Sequence, residues 1–244
     1  MAINWFKYSA PSTFYALAGK LAPWFAAFAA ILFAVGLYIG LYVAPTDATQ
    51  GDAYRIIYIH VPASILSMFI YLVMAGYAAL GLIFNTRLSA MMANALAPTG
   101  ALFTFIALWT GAFWGKPTWG AYWAWDARMT SELILLFLYL GFIALHASID
   151  DPRRADRASA LLAIVGSVNV PIIYYSVRWW NTIHQGATIK PTGVSMEATM
   201  QKALLAMFLA CWAYAIAMTL WRVRSIILER ERTTQWVQEM PEAK

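Results

Sequence analysis

Val61-Pro-Ala-Ser-Ile-Leu-Ser-Met-Phe-Ile-Tyr-Leu-Val-Met-Ala-Gly-Tyr-Ala-Ala-Leu-Gly-Leu-Ile-Phe84 contains no charged residue. A helix of about 20 such residues crosses the hydrocarbon core of a bilayer. Five more segments have the same character: roughly Leu21–Ala44, Asn94–Phe113, Thr130–Ile149, Ala158–Val177 and Thr199–Trp221. In lipid each backbone N–H and C=O must find its partner within the segment, so each reads as a helix. Pro98 and Pro171 fall inside the third and fifth spans and predict kinks there. Gly76, Gly81, Gly141 and Gly166 are expected to let helices approach closely. The fold class is therefore an all-α integral membrane protein with six transmembrane helices, read as one domain over residues 1–244.

Composition supports this. The chain is 61% hydrophobic and 12% charged, where a soluble domain carries about a quarter charged residues. Mean hydropathy is +0.60. The net charge of +5 is explained by basic residues flanking spans, and no nucleic-acid partner is expected. Of the 17 Lys and Arg residues, eleven, among them Lys7, Lys20, Arg87, Arg153, Arg157 and Arg230, fall on the side of the two termini. Six (Arg55, Lys116, Arg128, Arg178, Lys190 and Lys202) fall on the other. The excess places both termini in the cytoplasm and the connection between spans three and four outside. The region Met1–Lys20 does not read as a cleavable signal. Residues 225–244 read as a charged cytoplasmic tail with a short helix. The single cysteine, Cys211, excludes an internal disulfide, and there is no Cys-x-x-Cys-His for covalent haem attachment.

The outer connection at residues 114–128 concentrates aromatic residues. Trp114-Gly-Lys-Pro-Thr-Trp119-Gly-Ala-Tyr122-Trp123-Ala-Trp125-Asp126 holds four of the chain's twelve tryptophans. Trp and Tyr are enriched at membrane interfaces, and some of these rings serve as anchors. So many in one segment also suggest a platform for a large, flat, apolar ligand. Two of the three histidines share that side: His60 at the start of span two, and His184 in Trp179-Trp180-Asn181-Thr182-Ile183-His184-Gln185-Gly186. His146 lies near the cytoplasmic end of span four and reads as structural or interfacial. A neutral imidazole is the commonest metal ligand, and haem iron takes one or two axial ligands. Arg55, Arg128 and Arg178 sit within a few residues of these elements. They suit anionic propionates, although snorkelling to headgroups is the plainer reading. Asp126 is equally an N-cap for span four or a ligand contact. Glu132, about one turn inside that span, is expected to pair with Arg128 at i−4. From the residues alone, the outer face is a haem or quinone site.

Trp119-Gly-Ala-Tyr-Trp-Ala-Trp-Asp-Ala-Arg-Met-Thr-Ser-Glu-Leu-Ile-Leu-Leu-Phe-Leu-Tyr-Leu-Gly141 resembles the tryptophan-rich WWD signature of haem-handling membrane proteins. Together with Tyr58-Ile-His60-Val-Pro-Ala-Ser64 and the His184 loop, it makes nearly the whole chain similar to the CcmC family, the haem exporter protein C of System I cytochrome c maturation. Tyr122 and Met129 are small departures. The resemblance implies a protein that is not an enzyme and that binds haem b at the periplasmic face of a bacterial inner membrane. His60 and His184 match the family's axial ligands, and Trp114, Trp119, Trp123, Trp125 and Asp126 match its haem-presenting segment. The implied partners are the haem chaperone CcmE, the ABC-type subunits CcmA and CcmB, and the small subunit CcmD. No Gly-x-x-x-x-Gly-Lys-Ser/Thr loop is present, so the ATPase is not this chain. Two rivals are a respiratory haem-b subunit coupled to quinone, whose histidines would lie inside spans, and a plain permease subunit without haem.

Overall fold

A computed structural model describes residues 5–180, 182–184, 189–190, 193–194 and 196–240. Asn181, Gln185 and Gly186 of the His184 loop, and residues 241–244 of the tail, lie outside the described residues. Among the described residues the regular structure is helical apart from one hairpin of two two-residue strands. In order come α1 (Pro11–Tyr38), α2 (Ile57–Phe84), α3 (Arg87–Trp119), α4 (Ala127–Ala147), α5 (Pro152–Gly166), α6 (Asn169–Trp179), α7 (Ala198–Arg230) and α8 (Gln235–Gln238). The strands β1 (Ile189–Lys190) and β2 (Gly193–Val194) pair antiparallel between α6 and α7. Six helical stretches are long and apolar enough to cross a membrane, with α5 and α6 together forming the fifth.

These helices run beyond the apolar segments that announce them. α1 begins at Pro11, which occupies the first helical turn where its missing N–H costs nothing. α7 continues through Arg222 and Arg224 to Arg230, so much of the charged tail belongs to the last long helix. α8 is a separate short turn whose Trp236 packs against Tyr15 of α1, with ring centroids 5.8 Å apart. Apolar length reports bilayer thickness, whereas helix length follows capping and packing.

Outward faces are apolar, as lipid requires. α1 buries only Ala18, Ala22, Ala29 and Gly36 and turns Trp24, Phe28, Ile31 and Val35 outward. It packs along α7 through that small-residue face, while α2 packs along α3. The interior centres on Tyr71, Leu135, Tyr139 and Ile173. The rings of Tyr71 and Tyr139 meet edge to face at 4.8 Å, and the Tyr139 hydroxyl donates to the Ser67 carbonyl at 2.8 Å. Gly166 and Gly81 sit against Tyr71 and Ala90, whereas Gly76 faces open space and allows no close approach.

The two prolines act differently. Pro98 leaves α3 continuous, and next to it the Arg222 guanidinium of α7 donates to the Ala95 carbonyl at 2.9 Å. Pro171 does more than kink its span: the helix stops at Gly166 and restarts at Asn169. Pro171 has no N–H for the Ser167 carbonyl, and its ring crowds that oxygen. The Val170 N–H takes the bond instead, at 3.1 Å. Buried Asn169 uses the break to donate its side-chain amide to the Ser131 carbonyl of α4 at 2.9 Å.

Candidate functional site

His60 and His184, the two histidines expected on the outer side, face one small cavity. His60 comes from the first turns of α2 and His184 from the segment after α6. Between them, Ser64, Gly111, Arg128 and Glu132 line a space of about 30 Å³, room for roughly one water.

The two imidazoles are positioned differently. His60 Nδ1 lies 3.0 Å from Thr110 Oγ1, and the Thr110 hydroxyl donates its only proton to the Ile106 carbonyl at 2.6 Å. Thr110 therefore accepts from His60, which fixes the proton on Nδ1 and leaves a lone pair on Nε2. Gly111 touches the same ring: a Cβ built there would stand 3.0 Å from the ring carbon Cε1. Trp114 closes the other side, its ring centroid 5.5 Å from that of His60 at 78°. The Trp114 indole N–H is anchored to Gln50 Oε1 at 2.6 Å.

His184 is held through Asp126. One carboxylate oxygen accepts from the Arg128 and Met129 backbone N–H groups at 2.9 and 3.2 Å, capping α4. The other accepts from the Thr182 hydroxyl and from the Ile183 N–H at 3.2 Å. Thr182 in turn accepts from the His184 N–H at 3.1 Å. His184 Nδ1 lies 3.2 Å from Asp126 Oδ1, close but off the hydrogen-bond line. Burial would raise the Asp126 pKa. The Thr182 hydroxyl, the two backbone N–H groups and the neighbouring imidazole outweigh it and hold the carboxyl below its ordinary value. For His184, burial lowers the pKa, Asp126 raises it and Arg128 lowers it, and the net is a depression. An ionised Asp126 beside a neutral imidazole again favours the proton on Nδ1 and a free Nε2. Trp119 covers this ring, its centroid 4.9 Å away.

The tryptophan-rich segment is thus two pieces. α3 carries Trp114 and Trp119 on its last turns, against the histidines, so neither lies on a loop. Gly120, at φ 82°, ends the helix in a left-handed turn that favours glycine. Beyond it the chain is irregular: Trp123 and Trp125 meet edge to face at 5.5 Å, and Trp125 is 80% exposed.

The three arginines part company. Arg128 lines the histidine cavity, with no carboxylate within 4.0 Å among the described residues. Arg55 is committed elsewhere: it pairs with Asp52 at 2.9 Å and donates to the Gly40 and Ala44 carbonyls that end the first span. Arg178 lies 5.9 Å over the Tyr175 ring, beside the Tyr175–Trp179 stack. Glu132 does not pair with Arg128; it is buried and accepts from the Ser67 hydroxyl at 2.7 Å. His146 sits at the far end, 3.1 Å from both Asp156 and Arg230, in an ion-paired cluster joining α4, α5 and α7.

Thr110, Thr182, Gln50 and Ser67 escape a sequence reading because each works through a partner distant in the chain. Thr182, two residues before His184, is the one with a local signal. Among the described residues no three His, Cys, Asp or Glu side chains converge on a common metal position. An iron already held by a porphyrin needs only two such ligands.

The heme exporter protein C family profile matches residues 4–238. This chain belongs to that family. It is similar to heme exporter protein C of Escherichia coli (strain K12), 46% identical over 230 residues covering 94% of this chain and 93% of the relative. The Haemophilus influenzae heme exporter protein C is 43% identical over 234 residues, covering 96% and 95%. That of Paracoccus denitrificans is 38% identical over 226 residues, covering 92% and 93%.

Proposed function

We propose that this heme exporter protein C family member holds haem b as cargo at the outer face of a bacterial inner membrane, with His60 and His184 as axial ligands through Nε2. The observation that carries this reading is the pair of imidazoles on one cavity, each with an acceptor oxygen near Nδ1, Thr110 for His60 and Asp126 for His184, which favours Nε2 as the atom left for iron. Neutral imidazoles are the form that ligates a metal, and second-shell partners at Nδ1 orient the ring and raise its basicity. Arg128, in the same cavity, suits a propionate.

The space between the histidines is far smaller than a porphyrin, so loading requires the 182–184 segment to draw back from α4. Loops can make that movement where a helix interior cannot. Trp123 and Trp125, beyond the end of α3, then present the exposed edge of haem to the periplasmic chaperone CcmE. Trp114 and Trp119 act by packing the ligand imidazoles. Arg55, bound to the end of the first span, shapes that surface and leaves the propionates to Arg128; Arg178 is a lesser candidate for them. The protein acts beside CcmA, CcmB and CcmD as a holder and presenter, with no bond-making step of its own.

The test is the absorption spectrum of the purified, detergent-solubilised chain, oxidised and reduced, for the wild type, His60→Ala and His184→Ala. A low-spin bis-imidazole spectrum that weakens or changes in both variants supports the reading. A wild type that takes up no haem, even when haem is added, overturns it and brings the permease-subunit alternative forward.

A further inference from the structure

A wide hollow lies at the opposite end of the bundle. It holds about 560 Å³, a size within the usual range of roughly 300–1,000 Å³ for small-molecule sites. Four helices wall it, and small side chains create it: Gly81 of α2, Ala90 and Ala93 of α3, and Ala160 of α5, with Phe142 of α4 across from them. Its lining mixes apolar side chains with the basic Arg87, Arg153 and Arg157. Arg153, Asp156, Arg157 and Ala160 recur at the i, i+3, i+4 and i+7 spacing that puts one face of α5 toward the cavity.

The charges do not cancel. Asp156 is taken by Arg230 through contacts of 2.7 and 2.8 Å, and Arg87 pairs with Glu231 at 2.9 Å. Arg153 and Arg157 remain, with no carboxylate within 4.0 Å of either among the described residues. Two arginines without a carboxylate partner thus line a pocket that also offers apolar side chains, where the span reaches its basic flank.

We propose that this cavity binds an anionic phospholipid, its phosphate held by Arg153 and Arg157 and the root of an acyl chain lying against Leu82 and Phe142. The guanidinium fork matches phosphate geometry, and basic pockets between membrane helices suit anionic headgroups. A haem carboxylate shares the anionic chemistry, but haem also asks for an iron ligand. The one imidazole here, His146, is occupied: its Nε2 lies 3.1 Å from Asp156 and from Arg230, and the Asn94 amide stands 3.3 and 3.4 Å from its two nitrogens. A ligand spanning α2, α3, α4 and α5 stabilises the bundle by binding only its folded form.

The experiment uses the full chain in nanodiscs of phosphatidylcholine with and without phosphatidylglycerol, reading retained lipid by native mass spectrometry and the thermal midpoint. The wild type should retain phosphatidylglycerol selectively and melt higher in its presence. Arg153→Gln combined with Arg157→Gln should reduce that retention by about tenfold, as loss of charge-assisted phosphate contacts implies, with the haem spectrum unchanged. Arg154→Gln, on the same helix but off the cavity, should keep it. Equal retention of both lipids by the wild type overturns the proposal without recourse to any variant. So does a matching loss in Arg154→Gln, which would mark a general surface-charge effect. Loss of haem uptake in the double variant, with lipid selectivity intact, also overturns it and assigns the cavity to the cargo's carboxylates.

Discussion

His184 Nδ1 lies 3.2 Å from Oδ1 of Asp126, the carboxylate that also caps α4 and grips Thr182 and Ile183. One side chain therefore sets the start of a membrane helix and the position of a candidate iron ligand. A sequence reading sets N-cap and ligand-site roles as alternatives for Asp126; the geometry combines the cap with contacts to the segment that carries His184.

Asp126→Asn separates the two roles. Asn caps a helix about as well as Asp, so the α4 start should survive. The amide puts a donor where Thr182 and Ile183 need an acceptor, and it removes the charge beside His184. Haem affinity should fall about 10–100-fold, the usual cost of losing such a supporting partner, in a spectral titration. An unchanged titration curve would show that Asp126 is only a cap.

Thr110 makes the parallel case for His60. Thr110→Val keeps the shape but deletes the acceptor for Nδ1–H, leaving a buried donor unpaired at a cost of about 1–3 kcal/mol. The low-spin haem signal should weaken, and Thr110→Ser should restore it. Failure of the serine variant to rescue would point to packing rather than the hydroxyl.

The three histidines should sort cleanly. His60→Ala and His184→Ala should each lower haem occupancy and chaperone loading. His146→Ala should lower thermal stability, because it opens the Asp156–Arg230 cluster, while leaving the haem spectrum intact. Were His146→Ala alone to abolish haem, the site would lie at the wrong end of the molecule.

The tryptophans should divide by position. Trp125→Ala removes an exposed ring, so haem should stay bound while transfer to the chaperone slows. Trp119→Ala uncovers His184 and should weaken haem retention itself, by an amount comparable to an aromatic contact of about 0.5–1.5 kcal/mol. Comparing occupancy with transfer in both variants checks the division; identical behaviour in the two would erase it.

The six spans were legible because uncharged runs such as Val61–Phe84 have one stable outcome in lipid. The histidine pair was legible because charge bias put His60 and His184 on one side. Helix ends were not: nothing in the apolarity of Leu21–Ala44 announces a start at Pro11, and the platform expected over residues 114–128 conceals a helix that continues to Trp119. Nor were cross-helix partners. Arg55 reads either as a propionate partner or as snorkelling to headgroups, and its bonds to the Gly40 and Ala44 carbonyls match neither; Glu132 looks paired with Arg128 until Ser67 arrives from another helix. Local spacing reports neighbours on one helix; contacts between α2, α3 and α4 depend on how the helices rotate against each other.

The pairing of α1 with α7 also bears on how the chain is made. α1 is synthesised well before α7, yet α7 is the helix that its alanine and glycine face fits. Until then it has only lipid, or the insertion machinery, against that face. Closing the first helix onto the last is therefore a late event in biogenesis, and a chain truncated before α7 should leave α1 unpartnered and open to quality-control proteolysis.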